Sequence, residues 1–293
     1  MGDWTALAGE RFALGEGLRL LETGGVVMVD ILSGRLLRLP ADLAGQPEVL
    51  TELAEPLGAV APLDATTAGG AGWLAAAGTG VAVLRPGRPA HWLARPEDGR
   101  TPAMRMNDGT ADPAGRFWAG SMSYDGVDGA GALYRVDRDG AVHRVLEGLA
   151  IPNGPAFSAD GRLMYLADSA RGVIYRFGVA PGSGELGERT EFARMAEGSP
   201  DGMTVDAEGF LWSAVWGAGE VRRFAPTGAV DRVLPVPARQ PTSVCLVGTR
   251  LVVSSAAVGL TEPGEYDGAV LHTEVGVAGV PASIARVRWD GAV

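Results

Sequence analysis

No lysine occurs in the 293 residues, so all 25 basic side chains are arginine. This excludes a Walker-type phosphate loop and Schiff-base catalysis, both of which need a lysine amine. Cysteine is almost as scarce. Cys245 stands alone, which excludes an internal disulfide and a cysteine-based zinc site and makes reduced cytoplasm the expected setting. There is no G-x-S-x-G elbow and no H-E-x-x-H helix, so two large hydrolase classes lack their signatures. The net charge of −10 argues against nucleic acid and anionic membrane surfaces, and it suits a neutral or cationic ligand. Residues 1–11 are charged and lack a signal-peptide apolar core. The uncharged stretch Ala65 to Leu84 is long enough to span a bilayer. Its five glycines, and its register with the rest of the chain, make it read as soluble strands instead. No nucleic-acid, membrane or protein partner is expected.

Asparagine is the other rarity, and it is informative. The only two, Asn107 and Asn153, occupy the same slot of an internal repeat. The slot recurs at Glu16-Gly17, Leu57-Gly58, Asn107-Asp108-Gly109, Asn153-Gly154, Asp201-Gly202 and Thr242-Ser243, with spacings of 41, 50, 46, 48 and 41 residues. A period in that range, with short apolar runs and no helical pattern, indicates a β-propeller.

Within each copy a short apolar run follows the slot. A turn closed by Gly115, Gly161 or Gly209 comes next, then a second run carrying Trp118, Tyr165 or Trp212. Glycine there supplies the positive φ that tight hairpins need. A third element repeats as Leu36–Leu39, Val81–Arg85, Leu133–Val136, Ile174–Phe177, Val221–Phe224 and Ile284–Val287. The expected fold is all-β: one six-bladed β-propeller of four-stranded antiparallel blades, a single domain over residues 1–293. The stretch Arg11 to Leu14 is expected to pair with the last blade, because closure removes exposed strand edges. The glycine-rich stretches Gly69–Gly80 and Asp125–Gly131 read as loops, the second as a candidate lid.

First strands of propeller blades converge on the central channel, so equivalent slots face one another. Glu16, Asn153 and Asp201 would bring two carboxylates and a carboxamide to one point. Such an all-oxygen set suits a hard divalent cation such as Ca²⁺, Mg²⁺ or Mn²⁺. Zn²⁺ also accepts carboxylates, but its sites usually include His or Cys. His91, His143 and His272 lie elsewhere in the repeat. Asn-Gly and Asp-Gly are also common turn dipeptides, and each position alone fits that reading. Three at one slot in three blades favour a shared site. Trp118, Trp212 and Trp216 read as blade packing, and Cys245 as a buried, inert thiol.

Arg105–Met122, Ile151-Pro152-Asn153-Gly154, Ser199–Met203 and Leu211–Trp216 resemble the gluconolactonase, regucalcin and senescence-marker-protein family, over nearly the whole chain. The resemblance implies a six-bladed propeller holding one divalent metal ion, calcium foremost, that hydrolyses sugar lactones. It implies Glu16, Asn153 and Asp201 as metal ligands, Asp201 also as general base, and Arg105 and Asn107 as residues that hold the lactone. Asp125 stands in the lid loop where relatives often place a glutamate, and is a third candidate for substrate contact. The chain departs from the pattern after Gly17, where Leu18 follows and no Trp appears, and at Leu246–Gly248.

The expected function is therefore metal-assisted hydrolysis of an aldonolactone to the aldonic acid. Two rivals stand beside it: an esterase or phosphotriesterase on a calcium-bearing propeller, and a metal-binding propeller without turnover.

Overall fold

The computed structural model describes residues 3–66 and 70–288. It consists of six antiparallel sheets of four strands, each a blade, arranged around a channel. The innermost strands are Gly15–Leu20, Leu57–Pro62, Met104–Ala111, Pro152–Phe157, Ser199–Val205 and Pro241–Val247. Blades one to five then run outward in sequence order, and blade six does so for its first three strands. Burial follows the same direction. The strand Val26–Asp30 of blade one is buried throughout, whereas the outermost strand of blade five, Val230–Pro235, is almost wholly exposed. An inner strand is covered on both faces by neighbouring blades, so it can be apolar at every position. The outermost strand faces water and alternates weakly.

The core is a set of seams between blades. Six buried apolar clusters form, each drawn from two adjacent blades. Trp118 and Trp212 are completely buried in such seams, and each indole N–H donates to the aspartate opening its own hairpin, Asp112 or Asp206. The packing role expected of these two holds; Trp216 is only half-buried. The hairpin glycines have the positive φ that the sequence requires, +88° at Gly115 and +82° at Gly209.

Closure uses both ends of the chain. The fourth strand of blade six is Thr5–Ala6, paired with the strand Val270–Glu274. The closing strand thus lies earlier than Arg11–Leu14, but that stretch also joins blade six: Phe12 N–H donates to Gly268 O, Val258 N–H to Ala13 O, and Leu14 bridges Ala256. The third strand of blade six is Val270–Glu274, not Ile284–Val287. The latter segment belongs to a C-terminal strap crossing the face of the ring opposite the candidate site. Gly279 bridges Asp206 in blade five, Ala282 N–H donates to Leu20 O in blade one, and Ala285 bridges Leu63 in blade two. Arg286 and Arg288 N–H then donate to Gly115 O and Arg138 O in blade three. Ile284–Val287 looks like a strand because Ala285 and Val287 alternate into the seam between blades two and three, where both are fully buried. Of the stretch Gly69–Gly80, residue 69 lies outside the described residues. The remainder is not one loop, because it contains the strand Trp73–Ala77. No helix among the described residues is long and apolar enough to cross a membrane.

Candidate metal and substrate site

The repeated slot has a physical counterpart. In all six blades the pairing of first and second strands shifts register at the slot, between Glu16 and Arg19, Leu57 and Ala59, Met106 and Gly109, Asn153 and Ala156, Pro200 and Met203, and Pro241 and Ser243. Each shift is a bulge. An extra residue bends the strand and re-aims a side chain that would otherwise pack against the next blade. The glycines serve these bulges. Gly154 takes φ +78°, and a Cβ on Gly58 would collide with the Asn107 carbonyl.

Glu16, Arg105, Asn107, Asn153 and Asp201 are all 7% exposed or less, at the same end of the channel. A hydrogen-bond chain joins blades three, four and five. Arg105 Nη1 donates to Asn107 Oδ1 (2.7 Å) and Met106 O (3.0 Å). Asn107 Nδ2 donates to Asn153 Oδ1 (2.8 Å) and Pro152 O (3.0 Å), and Asn153 Nδ2 donates to Ser169 Oγ (2.8 Å). Ser169 Oγ donates in turn to Pro200 O (2.6 Å), one residue before Asp201. Both amide hydrogens of Asn107 are thus used within the protein. The side chain ties Arg105 to Asn153 and keeps a lone pair on Oδ1.

Glu16 and Asp201 face each other from blades one and five. Glu16 accepts the Gly17 N–H at 2.8 Å, whereas Asp201 Oδ1 is buried without a hydrogen-bond partner. Burial pushes the Glu16 carboxyl well above the ordinary carboxylate range, with repulsion from Asp201 and Asp108 adding to it. Burial, then repulsion from Asp108, does the same to Asp201 against the opposing pull of the Gly202 N–H and Arg105. Burial also lowers Arg105. Two crowded acids, an orphaned oxygen and a carboxamide are what a hard divalent cation would relieve, so the donor set fits one. Among the described residues no group of three or more His, Cys, Asp or Glu is arranged for a metal, so the set depends on the Asn153 carboxamide.

Asp125 is not gathered into this cluster. It is exposed in the loop after the strand Phe117–Ser123, which an Arg171–Asp128 ion pair (2.6 Å) links to blade four. Sequence reasoning missed Asp108, Arg19, Ser169 and Tyr124. Asp108 shares its slot with Asn107, and that doubled polar residue was the available signal. Tyr124, 52% exposed, follows the strand that pairs with that of Arg105, and its N–H donates to Ala103 O. Cys245 is buried, and burial pushes its thiol up to about 12, as expected of an inert group. The three histidines lie on outer strands. At the opposite end of the channel, a cavity of about 150 Å³ lies among Arg19, Ala156, Met203, Cys245 and the strap residues Val280 and Ser283.

The family model described as "SMP-30/Gluconolactonase/LRE-like region" matches residues 14–257. A pentonolactonase of Haloferax volcanii is 35% identical over 197 residues, covering 63% of this chain and 67% of that protein. A 6-deoxy-6-sulfogluconolactonase of Pseudomonas putida is 36% identical over 228 residues, covering 76% and 75%. The crystal structure of a calcium-binding protein, regucalcin, from Agrobacterium tumefaciens superposes with a TM-score of 0.88 at 27% identity, covering 98% of each chain.

Proposed function

The chain belongs to the SMP-30/gluconolactonase/LRE-like family, and from that premise we propose that it is a hydrolase that opens a sugar lactone to the aldonic acid. The observation that carries the reading is the buried pair Glu16 and Asp201, with an unpartnered Asp201 oxygen, joined through Asn153 and Asn107 to Arg105. Lactonase relatives support the substrate class. A reducing, cytoplasmic setting suits the one buried cysteine.

Glu16, Asn153 and Asp201 would hold one divalent cation. Calcium comes first, since the set is all oxygen and a superposable relative is a calcium-binding protein. When bound, the ion would supply Lewis-acid polarisation of the lactone carbonyl. Asp201 would also take the proton of the attacking water. Arg105 is anchored to the protein through Nη1, and its other N–H groups bind ring oxygens and fix the lactone's orientation. Asn107 holds Arg105 and Asn153 in register and offers its remaining Oδ1 lone pair to a sugar hydroxyl. Asp125, exposed in the loop after the strand that pairs with that of Arg105, would be a third substrate contact.

The test is proton release from several aldonolactones, an aryl ester and a phosphotriester, using chelated protein with Ca²⁺, Mg²⁺, Mn²⁺ or Zn²⁺ returned. Metal-dependent turnover of aldonolactones is expected. Ester-only turnover would instead indicate an esterase, and metal binding without turnover a binding protein.

The raised carboxyls also predict a pH effect. In the metal-free fold Glu16 and Asp201 bind protons more tightly than in the unfolded chain. Their contribution to stability is therefore greatest below the ordinary carboxylate range near about 4 and is lost as pH rises toward the raised folded values. A bound cation favours the ionised forms and removes that loss. The rise in melting temperature on adding Ca²⁺ to chelated protein is expected to grow from pH 5 to 8. A rise that is constant or shrinking over that window would contradict the assignment.

A further inference from the structure

Asp108 is a third acid beside the candidate ligands, and no role described so far uses it. It is 1% exposed, and its charge raises both Glu16 and Asp201. Its carboxylate is fully engaged. Oδ1 accepts from the Gly109 N–H (2.8 Å) and Arg19 Nη2 (2.8 Å), and Oδ2 accepts from the Gly154 N–H (3.0 Å). Arg19 lies three residues after Glu16 on the same bulged strand and is 6% exposed. It is pinned from below: Nη1 donates to Leu18 O and Nη2 also to Gly109 O. A buried guanidinium in a propeller channel is costly unless matched, and here its one charged partner is Asp108.

We propose that Arg19 is the built-in counter-charge of the metal site: by pairing Asp108 it keeps that acid out of coordination and sets the affinity for a single divalent cation. Leaving aside Arg105, whose positive charge is common to every variant below, Glu16, Asp108 and Asp201 contribute −3 and Arg19 brings the sum to −2, so Arg19 and Asp108 each move the charge around the ion by one unit. In a low-dielectric channel one unit of charge beside a cation changes affinity by roughly tenfold or more. The inference rests on the metal reading above, but it fails separately. If the wild-type chain binds no divalent cation, the metal reading falls. If it binds one and the charges below do not matter, only this inference falls.

The experiment is Ca²⁺ titration by calorimetry of wild type, Arg19→Met, Asp108→Asn and the double variant. Formal cluster charges are −2, −3, −1 and −2 respectively. Asp108→Asn should bind Ca²⁺ about tenfold or more weakly than wild type. Adding Arg19→Met to it should restore affinity to near the wild-type value. Arg19→Met alone should bind no more weakly than wild type. A purely structural ion pair predicts the opposite: both single variants loosen the site and the double variant is no better. A double variant as weak as Asp108→Asn, or Arg19→Met weaker than wild type, overturns the proposal. Should Asp108→Asn not fold, the Arg19→Met and double-variant titrations still decide it.

Discussion

Asp201→Ala is expected to lower kcat/KM for a sugar lactone by about 10³-fold or more, and to weaken Ca²⁺ binding in the same protein. A positioned general base is worth about 10²–10⁴-fold. Asp201 is proposed as ligand as well, so both contributions disappear together. Asp201→Asn separates them. The carboxamide keeps an oxygen for the cation but cannot accept the water's proton. Metal binding should survive in weakened form while turnover stays lost at saturating metal. The measurement is steady-state proton release at several Ca²⁺ concentrations beside calorimetric binding. Turnover of Asp201→Asn within tenfold of wild type at saturating Ca²⁺ would remove Asp201 from the base role.

Asp206→Ala is expected to cost about 3–5 kcal/mol of stability, because it leaves a buried cation without its principal partner. Asp206 is 1% exposed and accepts from Trp212 Nε1 (2.8 Å), Arg223 Nε (2.9 Å) and the N–H groups of Glu208 and Phe210. The Arg223 side chain is 3% exposed and lies 3.8 Å above the Phe210 ring. Deleting the carboxylate strands the indole N–H and leaves Arg223 to its more exposed partners Glu208 and Asp231. Asp160→Ala is the control. That aspartate sits in the matching hairpin of blade four, is mostly exposed, and bonds Ser158 and the Arg162 N–H, so its loss should leave the midpoint close to that of the wild type. Denaturant midpoints for the pair are the readout. Equal midpoints would show that the Asp–Trp–Arg node does not anchor the blade.

The blade count and the slot were legible because the repeat is dictated locally. A bulge that needs glycine, a hairpin that needs positive φ and a second strand with an aromatic all leave marks at fixed offsets. Glu16, Asn107, Asn153 and Asp201 could be assigned to one end of the channel for the same reason, whereas Arg105 came only from the family resemblance. What escaped was long-range. Ile284–Val287 carries strand-like alternation, yet its partners are Pro62 and Gly115 in other blades, and nothing local distinguishes a strap from a third strand. Thr5–Ala6 is too short to show periodicity. The pairing of Asp108 with Arg19 left no mark, because it spans blades one and three. Ser169 reaches the site only through the short 3-10 turn Ser169–Arg171.

Ring closure also fixes an order of events. Thr5 pairs with His272, so the strand Thr5–Ala6 has no partner until Val270–Glu274 exists. Hairpins within blades three, four and five need only neighbours in sequence and can form early. The last steps must bring the two termini home, each against a large loop-closure entropy. A nascent chain stalled before residue 241 would therefore hold folded blades in an open arc, still lacking the strand Pro241–Val247 whose Thr242 and Ser243 bond Gly15 and Leu18 of blade one. Ion-binding competence would arrive late and abruptly, with completion of the circle.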